Sequence, residues 1–171
     1  MIQTKVEGLI QNISEVLPDD VSNIAWVCIG TDRSTGDCFG PMVGTYLKHR
    51  GIENVYGTVT EPVHAVNLGE TLTEVHSKGY SFVVGIDACL GQSSRVGTIT
   101  AKTGPVKPGA GVYKDLPPVG DANIYAVVNV GGFMEYFVLQ NTRLGLVMTA
   151  AEMTASAIEQ VMKSRKGVMA V

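Results

Sequence analysis

Three short, almost uninterrupted apolar runs limit what this chain can fold into: IAWVCI at 24–29, SFVVGID at 81–87 and IYAVVNV at 124–130. Each is too short for a buried helix and lacks the polar alternation of a strand with one wet face. Runs of this kind are central strands covered on both sides. Between them the apolar spacing changes to steps of three and four. Ile2, Val6, Leu9, Ile10, Ile13, Val16 and Leu17 mark an amphipathic helix that stops at Pro18. A second helix is expected around Pro41 in FGPMVGTYLKHRG, closed by Gly51. Asn67 and Glu70 have capping-box spacing ahead of a third, closed by Gly79. The pattern over 133–166 is helical, with apolar positions Leu144, Val147, Met148, Ala151, Met153, Ala157, Ile158, Val161 and Met162. Shorter strands are expected at 54–60 and 97–103. Strands that alternate with helices, and are themselves apolar throughout, predict a three-layer α/β/α fold with a mainly parallel sheet. The 171 residues read as a single domain, 1–171.

Charge removes whole classes of function. Thirteen Lys and Arg face sixteen Asp and Glu, a net charge of −3 with no basic tract, so no nucleic-acid partner is expected. No apolar run approaches the roughly 18–20 residues that span a bilayer. The N-terminal stretch carries charged and amide residues inside its apolar pattern, unlike a signal peptide. The reading is therefore a cytoplasmic protein without a membrane partner. Its three cysteines, Cys28, Cys38 and Cys89, are far apart and form no CxxC pair, which fits a reducing compartment.

Open parallel sheets bind ligands at the carboxyl ends of their strands. Two segments are expected to leave apolar strands there with carboxylates: GTDRSTGDCFGP, holding Asp32 and Asp37, and GIDACLGQSSR, holding Asp87. If the two strands are neighbours, Asp37 and Asp87 approach each other. Two carboxylates in one pocket cannot both ionise cheaply, so one keeps a proton and the pair can activate water. Which is acid and which is base does not follow from sequence. The bland alternative is that Asp and Gly after a strand are turn and cap residues, and Asp32 is read that way.

Other chemistries fit less well. The glycines of 30–40 match neither GxGxxG nor GxxxxGK[ST]. Cys38 stands in an apolar stretch and reads as buried, and Cys89 is similar. Ser34, Ser93 and Ser94 lack a GxSxG elbow. His64, in a loop after a short strand, is a candidate base or ligand, whereas His49 and His76 sit near helix ends. Arg33 and Arg95 flank the two Asp-bearing segments as candidate carboxylate binders or surface charges. Residues 104–120 hold four prolines and four glycines and form a long loop, a kind of segment that is usually functional or disordered.

Two blocks stand out in combination. The first is Gly30, Thr35, Asp37, Gly40 and Pro41. The second is Ile86, Asp87 and Ala88, then Arg95 and Val96, then Thr103, Gly104, Pro108, Gly109, Gly111 and Val112. Over nearly its whole length the chain resembles the YyaC family of sporulation proteins. That family is similar to the spore germination protease, an atypical aspartic-type peptidase that degrades small acid-soluble spore proteins. The resemblance implies a phosphorylase/hydrolase-like fold, Asp37 and Asp87 as the catalytic pair, and a substrate-binding role for Thr35, Arg95, Gly104, Pro108, Gly109 and Gly111. It extends to the hydrogenase maturation peptidases, in which acidic residues at these two places and a later histidine bind nickel of the immature hydrogenase. This sequence has no histidine after His76. It also lacks an evident propeptide, which the germination protease carries.

The resulting expectation is a peptidase that acts on a protein or peptide of sporulation, such as the small acid-soluble spore proteins. It would use water activated by the aspartate pair, with no metal and no other cofactor. The alternative from another class is a non-catalytic peptide- or protein-binding sporulation factor that retains the peptidase fold. A nickel-dependent maturation peptidase is the third reading. The final helix carries Met148, Met153, Met162 and Met169, read as core packing, with a homodimer contact as the other option.

Overall fold

Period-two alternation sorts the side chains of each central strand between two cores. In β1 (Ile24–Cys28), Ile24, Trp26 and Cys28 enter one apolar cluster, while Ala25 and Val27 enter a second on the opposite face. This is the signature of a strand buried from both sides. The structure, a computed structural model, describes residues 2–109 and 116–169.

The described chain runs α1 (Ile2–Val16), β1, α2 (Phe39–His49), β2 (Val55–Tyr56), α3 (Leu68–Ser77), β3 (Phe82–Gly91), a 3-10 turn (Ser93–Arg95), β4 (Ile99–Thr103), β5 (Ala122–Val130), α4 (Glu135–Gln140) and α5 (Leu144–Met169). The sheet order is β2-β1-β3-β5-β4. The first four strands in that order are parallel, and β4 is an antiparallel edge on β5. Helices α1, α2 and α5 supply the larger core with Leu9, Ile13, Phe39, Val43, Leu47, Val147, Ala151 and Ile158. On the other face α3 packs Leu68, Leu72 and Val75 against Ala25, Val27 and Ile29. The expected α/β/α layering and mainly parallel sheet are present. Among the described residues no helix is long and apolar enough to cross a membrane.

Several boundaries differ from the sequence expectation. β2 covers only Val55 and Tyr56, not 54–60. β3 continues to Gly91, four residues past Asp87. The strand expected at 97–103 is the antiparallel edge β4. The helical pattern of 133–166 is split into α4 and α5. The capping box at Asn67 does not form. The Asn67 side chain instead accepts the His64 amide (2.8 Å) and donates to the Pro62 carbonyl (3.0 Å), so it closes the preceding loop rather than the helix.

Two contacts hold the outer elements. Asn12 of α1 donates to the Ala101 carbonyl (3.1 Å) and accepts the Ala101 amide (2.7 Å), so its amide satisfies the outer side of the edge strand. α2 lies against the strand ends because its glycines allow close approach. A β-carbon on Gly44 would stand 1.8 Å from the Gly57 carbonyl oxygen. Gly44→Ala should therefore destabilise the protein by about 1–3 kcal/mol or more through overpacking. Gly69→Ala, in α3 with nothing within 4 Å of the added carbon, should be neutral or stabilise by up to about 1 kcal/mol. Urea denaturation of the two variants checks the contrast.

Candidate active site

β1 leads into the loop that carries Asp37. The Ile29 amide donates to the Ile86 carbonyl (2.7 Å), and the Gly30 amide donates to the Val63 carbonyl (2.8 Å). Pairing thus continues past the strand, with β3 on one side and with the segment that follows β2 on the other. Gly30 then turns at φ +145, and a β-carbon there would be 1.9 Å from the Asp37 carbonyl oxygen. Only glycine tolerates both demands. The Thr31 amide donates to that same Asp37 oxygen (3.2 Å). The loop therefore folds back and sets Asp37 against the strand end. Asp37 is one residue before Cys38, the N-cap of α2, at the positive end of the helix dipole.

Asp87 stands inside β3, not in a loop leaving it. β3 is hydrogen-bonded to β1 in the register Cys28↔Ile86, so Asp87 follows the residue that holds Ile29. Val84 and Ile86 enter the larger core. By alternation Asp87 faces the other side, with Val83 and Gly85. It is half-buried. Burial pushes its carboxyl well above the usual carboxylate range, and the charge of Asp37 adds to that; the Ala88 amide on Oδ1 (2.8 Å) works in the opposite sense. The two aspartates thus sit in one electrostatic field. They lie where β1 departs to one side of the sheet for β2 and β3 lies on its other side, the switch point at which such sheets bind ligands.

Other groups share that face. Cys89, two residues on from Asp87, has its thiol pushed up to about 11 by burial and then by the Asp87 charge, against the pull of Arg95 and Lys102. Tyr125 of β5 is the register partner of Asp87. Lys102 of β4 places its Nζ 5.3 Å from the centre of the Tyr125 ring, within cation–π range. Sequence reasoning missed Tyr125 and Lys102. Period two pairs Cys89 with Asp87, but Tyr125 and Lys102 join them only through the register of β3, β5 and β4.

The remaining candidates are spread out. Thr35 is half-buried in the Asp37 loop, and Arg95 is exposed in the turn that follows β3. Gly104 lies at the far end of the sheet, because β4 is antiparallel and Thr103 pairs with Ala122 at the start of β5. Its amide donates to the Asp121 carbonyl (2.7 Å) and its carbonyl accepts Asn123 Nδ2 (2.8 Å). The chain then crosses the Asp87 face, where Val106 and Val119 cover Gly85. Pro108 is buried, Gly109 half-buried, and Gly111, with Val112 and Lys114, lies outside the described residues. Cys38 is buried, and burial, followed by the Asp32 and Asp37 charges, raises its thiol pKa. Asp32 and Arg33 are exposed. His64 follows Val63, the bridge partner of Ile29, and its Nδ1 is buried with no hydrogen-bond partner among the described residues. Among those residues no three His, Cys, Asp or Glu side chains converge to hold a metal. The two aspartates alone do not make a three-donor site.

The comparisons agree with this architecture. A hydrogenase maturation protease, HycI of Thermococcus kodakarensis KOD1, superposes with a TM-score of 0.63 at 18% identity, over 88% of this chain and 98% of that one. That likeness shows the fold. The Bacillus subtilis (strain 168) uncharacterized protein YyaC is 54% identical over 138 residues, 79% of this chain and 67% of YyaC. The model of a family described as protein of unknown function DUF1256 matches residues 2–157, and the chain belongs to that family.

Proposed function

We propose that this chain is a peptidase in which Asp37 and Asp87 act together on a protein substrate. The observation that carries the reading is the pairing of β1 with β3, which brings the loop holding Asp37 and the strand holding Asp87 to one edge of the sheet, where burial and the Asp37 charge favour a proton on Asp87. In this reading Asp87 is the acid and Asp37 the base, each within the other's field near the switch point of the sheet. Asp37, at the positive end of α2, serves as base and removes a proton from water. The water oxygen bonds to the scissile carbonyl carbon, giving a tetrahedral intermediate. Asp87 gives its proton to the leaving nitrogen as the C–N bond breaks, and the proton held by Asp37 then resets the pair. The protease-like fold supports a protein substrate. A sporulation-related substrate rests on the resemblance of the two residue blocks to the spore germination protease.

Purified protein incubated with small acid-soluble spore proteins should cleave them. Asp37→Asn and Asp87→Asn should each lower kcat by at least about 100-fold, with no further loss in the double variant. Because cleavage needs protonated Asp87, the rate should fall as pH rises through its raised pKa. Cleavage that persists in both variants would remove the aspartates from the mechanism.

The same group has a stability signature. Below the unfolded-state pKa of about 3.9, both states hold the Asp87 proton and it adds no pH dependence. At higher pH the unfolded chain ionises while the folded one keeps its proton. Stability therefore declines until pH passes the folded pKa. Asp87→Asn mimics the protonated form and removes that decline. Its Tm should match the parent near pH 3.5 to 4 and exceed it at pH 7, each kcal/mol being worth about 2–4 °C in a domain of this size. An equal Tm difference at both pH values would count against a proton on Asp87.

A further inference from the structure

One apolar segment is used neither by the core nor by the aspartate pair. It leaves the end of β5 and continues through α4. Val130, Phe133, Met134, Tyr136 and Phe137 are 43%, 81%, 53%, 59% and 54% exposed, whereas Leu139 is buried. Scattered exposed apolar residues are ordinary, but a run of five within eight positions marks an interaction surface. The run is held in shape. Gly132 donates its amide to Glu135 Oε1 (3.0 Å), Met134 adopts a left-handed conformation at φ +48, and the Tyr136 and Phe137 rings meet edge to face at 6.0 Å.

Its two ends are bonded to the two aspartate-bearing segments. The Gly131 amide donates to the carbonyl of Gly91, the last residue of β3, four positions beyond Asp87. The Leu139 carbonyl accepts the amide of Gly36, the neighbour of Asp37 (2.9 Å). Gly36 lies so close that a β-carbon would be 2.8 Å from Leu139 Cδ2. The apolar shelf is therefore anchored through its backbone to both aspartate-bearing segments.

We propose that Phe133, Tyr136 and Phe137 are the substrate-recognition shelf of this site and take a segment of the protein substrate rich in Phe, Leu or Ile beside the scissile bond. The proposal rests on the peptidase reading of Asp37 and Asp87. Anchoring to both aspartate-bearing segments points to a protein substrate as the occupant. Glu135, the only charged residue from Val130 to Gln140, is already engaged by the Gly132 amide, so selection here is by apolar contact. Exposed, rigid aromatic side chains are suited to that task.

The test separates binding from cleavage. Asp87→Asn protein is titrated into two labelled peptide pools of equal length and charge, one with Phe, Leu and Ile at its centre and one with Ser and Gln there. Anisotropy should show binding of the apolar pool only. Adding Phe133→Ser and Phe137→Ser should weaken it at least tenfold, with the thermal melt still cooperative and lowered by no more than about 4 °C, the cost of one ring contact. In the parent enzyme the same two changes should raise KM at least tenfold while kcat stays within twofold. Equal binding of the two pools, or binding unaffected by the double variant, overturns the proposal. So does a dimer in sedimentation that the double variant dissolves, since the occupant would then be a second copy. Selective binding without cleavage by the parent supports the shelf and overturns the peptidase reading alone.

Discussion

Parallel pairing of β1 with β3 is the contact on which the site depends. Both strands are covered on both faces, so a one-residue slip would exchange Trp26 and Ile86 with residues that belong to the opposite core. With that register held, the Ile29 amide meets the Ile86 carbonyl, and the loop carrying Asp37 leaves β1 beside the stretch of β3 that carries Asp87. Gly30 then directs the first of them back onto the strand end. Neither aspartate is placed by its own interactions alone. Each is carried by a backbone whose position is set by apolar packing on the two sides of the sheet.

Placing Asp87 in the strand has an energetic cost that a turn residue would not bear. A carboxyl in a half-buried strand position, within the field of the Asp37 charge, opposes folding whenever it is ionised. In the proposed mechanism the same circumstance makes it the proton donor. A gain of stability on neutralising the group and a loss of chemistry are expected together, as is common where sites are tuned for reaction. The apolar shelf is a similar case, because Phe133 and Phe137 leave most of their surface in water in the isolated chain.

Much of this was legible in the residues. The apolar runs marked β1, β3 and β5, the steps of three and four marked α1 and α5, and Pro41 lies in the first turn of α2. Boundaries were harder. β3 runs past Asp87 because β5 continues to pair with it as far as Gly91, and a polar residue inside a strand reads locally as its end. Asn67 read as a cap by spacing, yet its amide found better partners in the loop before the helix. The split between α4 and α5 was hidden because exposed apolar residues extend the helical pattern across the break.

By itself the sequence determined the layer architecture, because strand and helix periodicities and two-sided burial are local properties of the order of residues. It also singled out Asp37 and Asp87, through their places after or within apolar runs and through the two blocks around them. Tertiary structure alone decided what surrounds them. Tyr125 and Lys102 join the Asp87 face through strand register, and Gly104 goes to the far end of the sheet because β4 runs antiparallel. The shelf is tied to the two aspartate-bearing segments by hydrogen bonds between residues about 40 and 100 positions apart, Gly91 with Gly131 and Gly36 with Leu139. Contacts across such separations are set by how the layers pack, which no local pattern encodes.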